Sequence, residues 1–169
     1  MLNAIRETAK RIVVLTLVLW GLWLPWAQAQ EKPAIVVRPF TMASGVIWPY
    51  EMQKMTTQTL AELQHKDGKK YEISVEPPLD RANVYTLEGE VLEWHPGNRA
   101  KRMLVGAGTG RETARIHYWL TDKNGKKVFE HEDTIRAEYW GNEYADSVGQ
   151  LAHPFADKIA NRLGEAKLD

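Results

Sequence analysis

The feature that most restricts how this chain can fold is a pair of neighbouring segments, joined by an Asn-Gly turn, of which the first alternates apolar residues with others. In Thr113–Asp122, every second residue from Ile116 to Leu120 is apolar, which places these side chains on one face of an extended strand. Asn124-Gly125 follows, and this dipeptide adopts the positive φ angles of a tight turn at little energetic cost. The chain returns over Lys127–Ala137 as a partner strand. The sequence therefore predicts an antiparallel hairpin, one face of which must be covered by other elements.

The remaining segments predict the elements that complete this sheet and cover it. Alternation or β-branched composition predicts three further strands: Ala34–Arg38, Tyr71–Glu76 and Val84–Trp94. Apolar residues at every third or fourth position predict two amphipathic helices: Tyr50–His65 and Tyr144–Leu163. Pro154 lies inside the second helix and is expected to kink or divide it. We therefore expect an α+β domain, with a mostly antiparallel sheet of about five strands packed by two amphipathic helices in the order β-α-β-β-β-β-α.

The first 29 residues have the three parts of a cleavable secretory signal peptide. Basic residues precede an apolar run of about 15 residues, Ile12–Trp26, which is shorter than a comfortable membrane span. Ala27-Gln28-Ala29 supplies the small residues that a signal peptidase requires, and cleavage there makes Gln30 the first residue. The alternatives are an uncleaved membrane anchor and a buried core helix, although a core helix would have a polar face. We expect residues 30–169 to form a single domain that is periplasmic or secreted.

Composition narrows the possible partners and the mode of anchoring. Removing the three basic residues and the one acidic residue of segment 1–29 from totals of 22 each leaves 19 Lys and Arg against 21 Asp and Glu. A chain so close to neutral argues against nucleic acid as a partner and against adhesion to anionic lipid. There is no cysteine, so the chain lacks the residue that a bacterial lipoprotein has at the position of Gln30. We therefore expect no stable membrane anchor after signal cleavage, and the sequence does not predict the oligomeric state.

The most distinctive local segment is Gly97–Gly110, which combines basic residues with glycines at alternate positions. Its backbone N–H groups could hold an anion, but the segment leads into a strand and has no Gly-Lys-Ser/Thr ending, unlike the known phosphate-binding loops. Alternate glycines also allow another backbone or an aromatic ring to approach closely. A solvated basic turn, a contact with an acidic partner and an anion site all remain open. The candidate contact residues are Arg99, Arg102, Gly106, Gly108 and Gly110.

No catalytic or metal-binding motif is found in the sequence. The five histidines do not occur at the short spacing of a zinc site. No serine or threonine lies in a nucleophile-elbow context, and thiol catalysis is impossible without cysteine. Glu88 and Glu90 share one face of a predicted strand, where two carboxylates most commonly face solvent. We expect no catalytic residue, no metal and no cofactor.

Trp119 is a further candidate for partner binding. It follows Tyr118 on a predicted strand, so the two side chains point to opposite faces and one of them lies outside the main apolar layer. An exposed tryptophan beside an arginine is typical of a protein-binding hot spot. A helix packed on the second face of the sheet would explain the same pattern, and the sequence does not separate the two.

Several motifs together resemble a known family. They are Leu87-Glu88-Gly89-Glu90-Val91, Gly97-Asn98-Arg99-Ala100-Lys101-Arg102, Val105–Gly110, and Asp122-Lys123-Asn124-Gly125-Lys126 before a C-terminal amphipathic helix. In this order the chain is similar to the domain-of-unknown-function 4410 family of small exported bacterial proteins. The resemblance spans Ile35 to Leu163 and implies one α+β domain, with no activity or catalytic residue to carry across. Many members have the lipoprotein cysteine that this chain lacks.

These observations predict an exported, non-enzymatic binding or accessory module of the bacterial cell envelope that acts on a protein partner. Its contact surface is expected at Gly97–Gly110 together with adjacent aromatic residues, including Trp119. The alternative is a periplasmic protein that binds a small molecule or an anion through the same segment. An uncharacterised enzyme is the third possibility.

Overall fold

The residues that the structure describes form six strands and two helices. A computed structural model describes residues 31–79, 81–98, 104, 110–138, 147–166 and 168. The elements are β1 (Ala34–Val37), β2 (Thr41–Met42), α1 (Met52–Asp67), β3 (Glu72–Ser74), β4 (Val84–His95), β5 (Thr113–Thr121), β6 (Lys127–Arg136) and α2 (Ser147–Ala166). The described residues from Lys32 onward lie in one compact unit.

The predicted hairpin is confirmed as the antiparallel pair β5–β6. Its turn is held by the carboxylate of Asp122, which accepts the backbone N–H groups of Asn124 at 2.8 Å and Lys126 at 2.9 Å. The backbone hydrogen bond from Lys126 is the main reason that the pKa of Asp122 lies below its ordinary value. Gly125 has a φ of 77°, the left-handed conformation that glycine adopts without strain.

The sheet is mixed, and its long strands are antiparallel. The strand order is β3-β1-β4-β5-β6, and β2 pairs separately with β4. β4 and β5 are antiparallel, whereas β1 runs parallel to both β3 and β4, and β2 runs parallel to β4. The predicted fold class is therefore confirmed, with one strand more than expected. Only two residues of β2 are paired, too few for alternation to be visible in the sequence.

Both amphipathic helices are confirmed and cover the same face of the sheet. They pack against each other, α1 also contacts β3, and α2 also contacts β6. Tyr144, the first predicted inward residue of this helix, lies outside the described residues, and α2 is described from Ser147 to Ala166. The other predicted inward residues are all buried: Val148, Leu151, Phe155, Ile159 and Leu163. The sheet contributes alternate residues of β4, β5 and β6 to the same core: Leu87, Val91, Ile116, Tyr118, Leu120 and Ile135.

Pro154 does not divide α2, which continues from Ser147 to Ala166. Proline lacks the N–H that would donate to the carbonyl of Gln150 one helical turn earlier. That carbonyl instead accepts the backbone N–H of Glu138 at 3.0 Å. The proline therefore lets α2 accept a hydrogen bond from the chain that follows β6.

A close contact at Gly89 positions the loop between β1 and β2 over the sheet. A Cβ atom on Gly89 would lie 3.1 Å from Cδ1 of Phe40. The ring of Phe40 in turn meets the ring of Phe155 edge-on, with 5.4 Å between centroids. Glycine at this position allows the aromatic layer between sheet and helix to sit directly on the β4 backbone.

The remaining differences from prediction occur at element ends. β3 is shorter than Tyr71–Glu76: Tyr71 and Ile73 are buried as expected, but Val75 lies beyond the strand and is 50% exposed. α1 starts at Met52 and ends at Asp67 rather than running from Tyr50 to His65. Within the described residues, neither helix is long and apolar enough to cross a bilayer.

Candidate functional site

The connection between β4 and β5 leaves the sheet at one end and is closed at its base by a hydrogen bond. The backbone N–H of Asn98 donates to the carbonyl of Gly110 at 2.7 Å. Gly110 has a φ of 67°, a conformation that residues with a Cβ rarely adopt. This glycine is therefore needed to bring the two ends of the Gly97–Gly110 segment together.

Three aromatic rings pack beside this base. Trp48 and Tyr50 come from the loop before α1, and Trp94 comes from the end of β4. The Trp48 and Tyr50 centroids are 5.4 Å apart, and Trp94 lies 6.5 Å from Trp48 and 6.4 Å from Tyr50, all in edge-to-face geometry. Edge-to-face contacts of this kind are favourable for aromatic rings, so the three rings stabilise one another's positions.

A buried carboxylate, Glu112, joins these rings to the start of β5. Its side chain is among the buried polar groups, at 6% exposure. Its oxygens accept the Tyr50 hydroxyl at 2.9 and 3.0 Å, and Oε1 also accepts the Trp94 indole N–H at 2.6 Å. Hydrogen bonds to a charged acceptor are stronger than neutral ones, so this carboxylate fixes the loop, β4 and β5 relative to one another.

The third ring of the cluster, Trp48, has an indole N–H group without an acceptor among the described residues. The indole N–H of Trp48 is buried, and no acceptor for it lies in the described part of the chain. Leaving such a donor unpaired typically costs about 1–3 kcal/mol. Trp48 is therefore held by packing against its aromatic neighbours rather than by hydrogen bonding.

An open groove lies next to the aromatic cluster, and we name it the β4-end groove. It is formed between Ser44–Ile47 on one side and Leu92–Pro96 on the other, with a volume of about 500 Å³. Its lining is mainly apolar, and the Ile47 side chain at its edge is 84% exposed. Small-molecule and peptide sites commonly combine an apolar groove with a few polar groups, which here are Ser44, Glu93 and His95.

The face of β4, β5 and β6 opposite the helices, named here the open face, is polar and carries Trp119. The indole N–H of Trp119 donates to Glu88 at 2.9 Å, and its ring lies 4.8 Å from that of His117. The ammonium group of Lys127 is 5.9 Å from the Trp119 ring centroid. Tyr118 is fully buried on the helix side, which confirms that the two aromatic residues point to opposite faces. Both described helices lie on the Tyr118 side, so a packed helix does not account for Trp119 within the described residues.

Ion pairs run across the open face. The Arg115 guanidinium donates to both Glu93 and Glu132. The hydrogen bond from Arg115 lowers the pKa of Glu93. Hydrogen bonds from Lys127 and then His117 lower the pKa of Glu130 in the same way. These side chains are all partly or largely exposed, as expected for a solvated face.

The structure separates the residues that the sequence suggested for one contact surface. Gly110 lies at the base of the β4–β5 connection. Trp119 is six residues beyond Thr113, the first residue of β5, and at the rise per residue of a strand this separates Trp119 from Thr113 by about 20 Å. Arg99, Arg102, Gly106 and Gly108 lie outside the described residues. Trp94, near the end of β4, lies beside the base of this segment, where its indole N–H donates to Glu112.

Sequence reasoning missed three residues of this sheet end: Ile47, Tyr50 and Glu112. Glu112 is a single acidic residue between the glycine-rich segment and β5, and nothing in its spacing distinguishes it from a surface residue. Within the described residues, no group of three or more His, Asp or Glu side chains is arranged to hold a metal ion. Glu88 is engaged by Trp119, and the expectation of no catalytic residue stays a prediction.

Solved structures that resemble this chain come from several bacteria. Hypothetical protein CT253 from Chlamydia trachomatis superposes with a TM-score of 0.56 at 12% identity, covering 82% of this chain and all (100%) of its own. Protein XCC0632 from Xanthomonas campestris, of the DUF330 family, gives a TM-score of 0.52 at 12% identity, covering 81% of this chain and 87% of its own. A PelC dodecamer subunit from Paraburkholderia phytofirmans gives 0.45 at 15% identity, covering 73% and 88%. At these identities the first two likenesses concern the fold alone.

Sequence comparison identifies the family. No curated protein matches the chain by sequence. A family model described as "Domain of unknown function (DUF4410)" matches residues 50–136, from the loop before α1 to the end of β6. The matched region contains Tyr50, Trp94 and Glu112, together with the whole β4–β5 connection. The chain therefore belongs to the DUF4410 family.

Proposed function

We propose that this chain is an exported, non-enzymatic binding module of the bacterial cell envelope, and that it contacts a protein partner at the β4-end groove. The observation that carries the proposal is the exposed Ile47 side chain beside a groove whose opposite wall includes Trp94. Trp94 is held in place by the buried Glu112 carboxylate. Export is supported by the signal-peptide pattern of residues 1–29.

A rigid aromatic wall favours binding because little conformational entropy is lost when a partner docks. Trp94 is fixed by a hydrogen bond and by two ring contacts before any partner arrives. Tryptophan and tyrosine are over-represented among residues that dominate binding energy at protein interfaces. An exposed isoleucine beside such a wall adds apolar area that a partner can bury, worth about 25 cal/mol per Å².

The anion-carrier alternative finds less support in the described residues. It depends on free backbone N–H groups in Gly97–Gly110, most of which lies outside the described part of the chain. The Asn98 N–H, at the base of that segment, already donates to the Gly110 carbonyl. This amide is therefore engaged in closing the connection rather than directed at an anion.

Site-specific photo-crosslinking in intact cells tests the proposal. A photoreactive residue placed at position 47 is compared with one at position 79, because Ile47 and Leu79 are both exposed apolar residues, at 84% and 92%. Leu79 lies in the β3–β4 connection, which joins β4 at Val84, whereas the groove lies at the other end of this strand, which spans roughly 36 Å. We expect a discrete crosslinked protein from position 47 and none of the same mass from position 79.

Two results would count against the proposal. Equal crosslinking from both positions would indicate non-specific contact between exposed apolar residues. Absence of any crosslink at position 47, in cells where the chain is exported and folded, would remove the groove as the contact surface.

A further inference from the structure

We infer that the β4-end groove binds an extended peptide segment of the partner, which adds as a new strand to the outer edge of β4. This inference rests on the proposed function, and it specifies what the partner presents at the groove. It is carried by the short length of β2, by the direction of the β4 backbone groups beyond it, and by the apolar and charged side chains that line the edge.

The outer edge of β4 is only partly occupied. β2 pairs with β4 through Thr41 opposite Glu90 and Met42 opposite Val91. One more bond follows, from the Ala43 N–H to the Val91 carbonyl at 2.9 Å, before the chain turns at Gly45 with a φ of 85°. Beyond Val91, β4 continues to His95 with β5 on one side and, among the described residues, no strand on the other.

The backbone of β4 offers hydrogen-bonding groups on this side. The N–H and C=O groups of one residue in a strand point to the same side, and successive residues alternate. Val91 directs its carbonyl toward β2, and the register shift that follows aligns Glu93 with Arg115 and His95 with Thr113 on β5. Trp94, between these two, therefore directs its N–H and C=O toward the groove.

The side chains that line this edge are mainly apolar, so they can pack against an apolar residue of an added strand. The apolar lining residues are Val46, Ile47, Leu92, Trp94 and Pro96. In strand addition, main-chain hydrogen bonds supply affinity, and pockets for alternate side chains supply specificity. The loop Ser44–Ile47 provides a wall beside the edge, so that one side chain of the peptide can lie between Ile47 and Trp94.

Charge favours a basic residue next to that apolar one. The ionisable side chains that line the groove are Glu93 and His95, whose closest ionisable atoms are 3.7 Å apart. Of these two, Glu93 carries the negative charge, and Arg115 of the neighbouring strand contacts the same carboxylate. A peptide with Lys or Arg beside its apolar residue complements the Glu93 carboxylate that lines the groove.

The test selects peptides and then modifies their backbones. A displayed library of random peptides of about ten residues is selected on the exported chain, and the best binder is synthesised with N-methyl groups on either of two alternate sets of amides. An added strand uses every second N–H. We expect one N-methylated set to weaken binding about tenfold or more, and the other to change it by less than about twofold.

Matched variants place the peptide in the groove. Ile47→Asp is expected to weaken binding of the selected peptide about tenfold, whereas Leu79→Asp, at an equally exposed position elsewhere, is expected to leave it unchanged. Thermal unfolding of both variants checks that neither is destabilised. Equal losses for the two variants would remove the groove as the peptide site.

The outcomes distinguish this inference from the proposed function. If position 47 crosslinks to a partner but both N-methylated sets bind equally well, the binding module stands and strand addition is wrong. If the library yields no binder while the crosslink is retained, the partner contacts the groove with a folded surface and strand addition is again wrong. If neither peptide nor crosslink is found, both proposals fail.

Discussion

Glu112 is the residue on which the geometry of the β4-end groove most depends. Its carboxylate is buried and accepts hydrogen bonds from Tyr50 and Trp94, two residues that approach from different elements. A buried charge is costly unless it is well paired, so these donors and the carboxylate stabilise the fold only as a set. The same set orients Trp94, which forms one wall of the groove.

Removing the charge of Glu112 should therefore destabilise the protein. Glu112→Gln keeps the shape but places an NH₂ group where an acceptor is needed, and we expect a loss of about 2–3 kcal/mol in the free energy of unfolding. The control is Glu132→Gln, which removes an exposed carboxylate that pairs with Arg115 and should cost less than about 1 kcal/mol. Urea unfolding measures both; equal losses would mean that the Glu112 set contributes no more than a surface ion pair.

Tyr118 gives a prediction for alkaline pH. Burial, and then the hydrogen bond from its hydroxyl to Asp133 at 2.7 Å, raises the pKa of this tyrosine above its ordinary value. An acid whose pKa is raised in the folded state contributes stability that is present below the unfolded pKa, about 10, and that is lost as pH rises toward the folded value.

We therefore expect stability to fall more steeply above about pH 10 in the wild-type chain than in Tyr118→Phe. Near neutral pH the variant should be less stable by about 1 kcal/mol, because it lacks the bond to Asp133. The difference should narrow as the pH rises, and denaturant unfolding at several pH values measures it. A difference that stays constant with pH would show that Tyr118 does not resist ionisation in the folded state.

At the scale of elements, a substitution in the hairpin turn can measure the cost of backbone strain without a change in packing. Gly125 has a φ of 77°, and no atom lies within 4 Å of the position that a Cβ would take, so a methyl group there meets only conformational strain. Gly125→Ala should destabilise the protein by about 1–2 kcal/mol. The same substitution at Gly164, which lies in α2 with equally open space, should stabilise it by about 0.5–1 kcal/mol. Thermal or urea unfolding of the two variants checks this opposite sign.

The elements that could be predicted are those determined by a pattern of residues within one short segment of the sequence. The β5–β6 hairpin follows from Asn124-Gly125 between alternating segments, and α2 follows from apolar residues repeated on one helical face. Pro154 was compatible with a divided helix because the sequence does not show that the N–H of Glu138 reaches the Gln150 carbonyl. β2 could not be predicted, because its two residues are held by β4 rather than by any pattern of their own.

The candidate site was less predictable than the fold, because it consists of contacts between distant parts of the chain. Tyr50 and Glu112 are 62 residues apart in sequence. Trp119 was singled out for its aromatic ring, but it lies on the open face, paired with Glu88. Among the described residues, Gly110 and Trp94 connect the predicted segment to the candidate site, since most of Gly97–Gly110 lies outside the described residues.

For the whole molecule, the arrangement of layers decides where a partner can bind. One face of the sheet is covered by α1 and α2, and the open face carries a solvated network of ion pairs around Trp119. Surface ion pairs of this kind contribute little to stability and must be stripped of water before a partner can dock on them. The sheet end has a mainly apolar lining with fewer charged groups to desolvate, and its incompletely paired strand can form backbone hydrogen bonds with a partner.

The remaining prediction for the whole molecule is that a signal peptidase cleaves the exported chain after Ala29 and so releases the mature protein from the membrane. β1 begins at Ala34, four residues beyond Gln30, so cleavage after Ala29 leaves every described strand and helix in the mature chain. We expect mass spectrometry of the chain purified from the periplasm to show Gln30 as the first residue. Ala29→Leu should slow cleavage, because a signal peptidase requires a small residue there, and Arg38→Lys, at an exposed position beyond the cleavage site, is the control substitution. A chain that retains Met1 and fractionates with the membrane would overturn release, and the groove would then face its partner from a membrane-anchored protein.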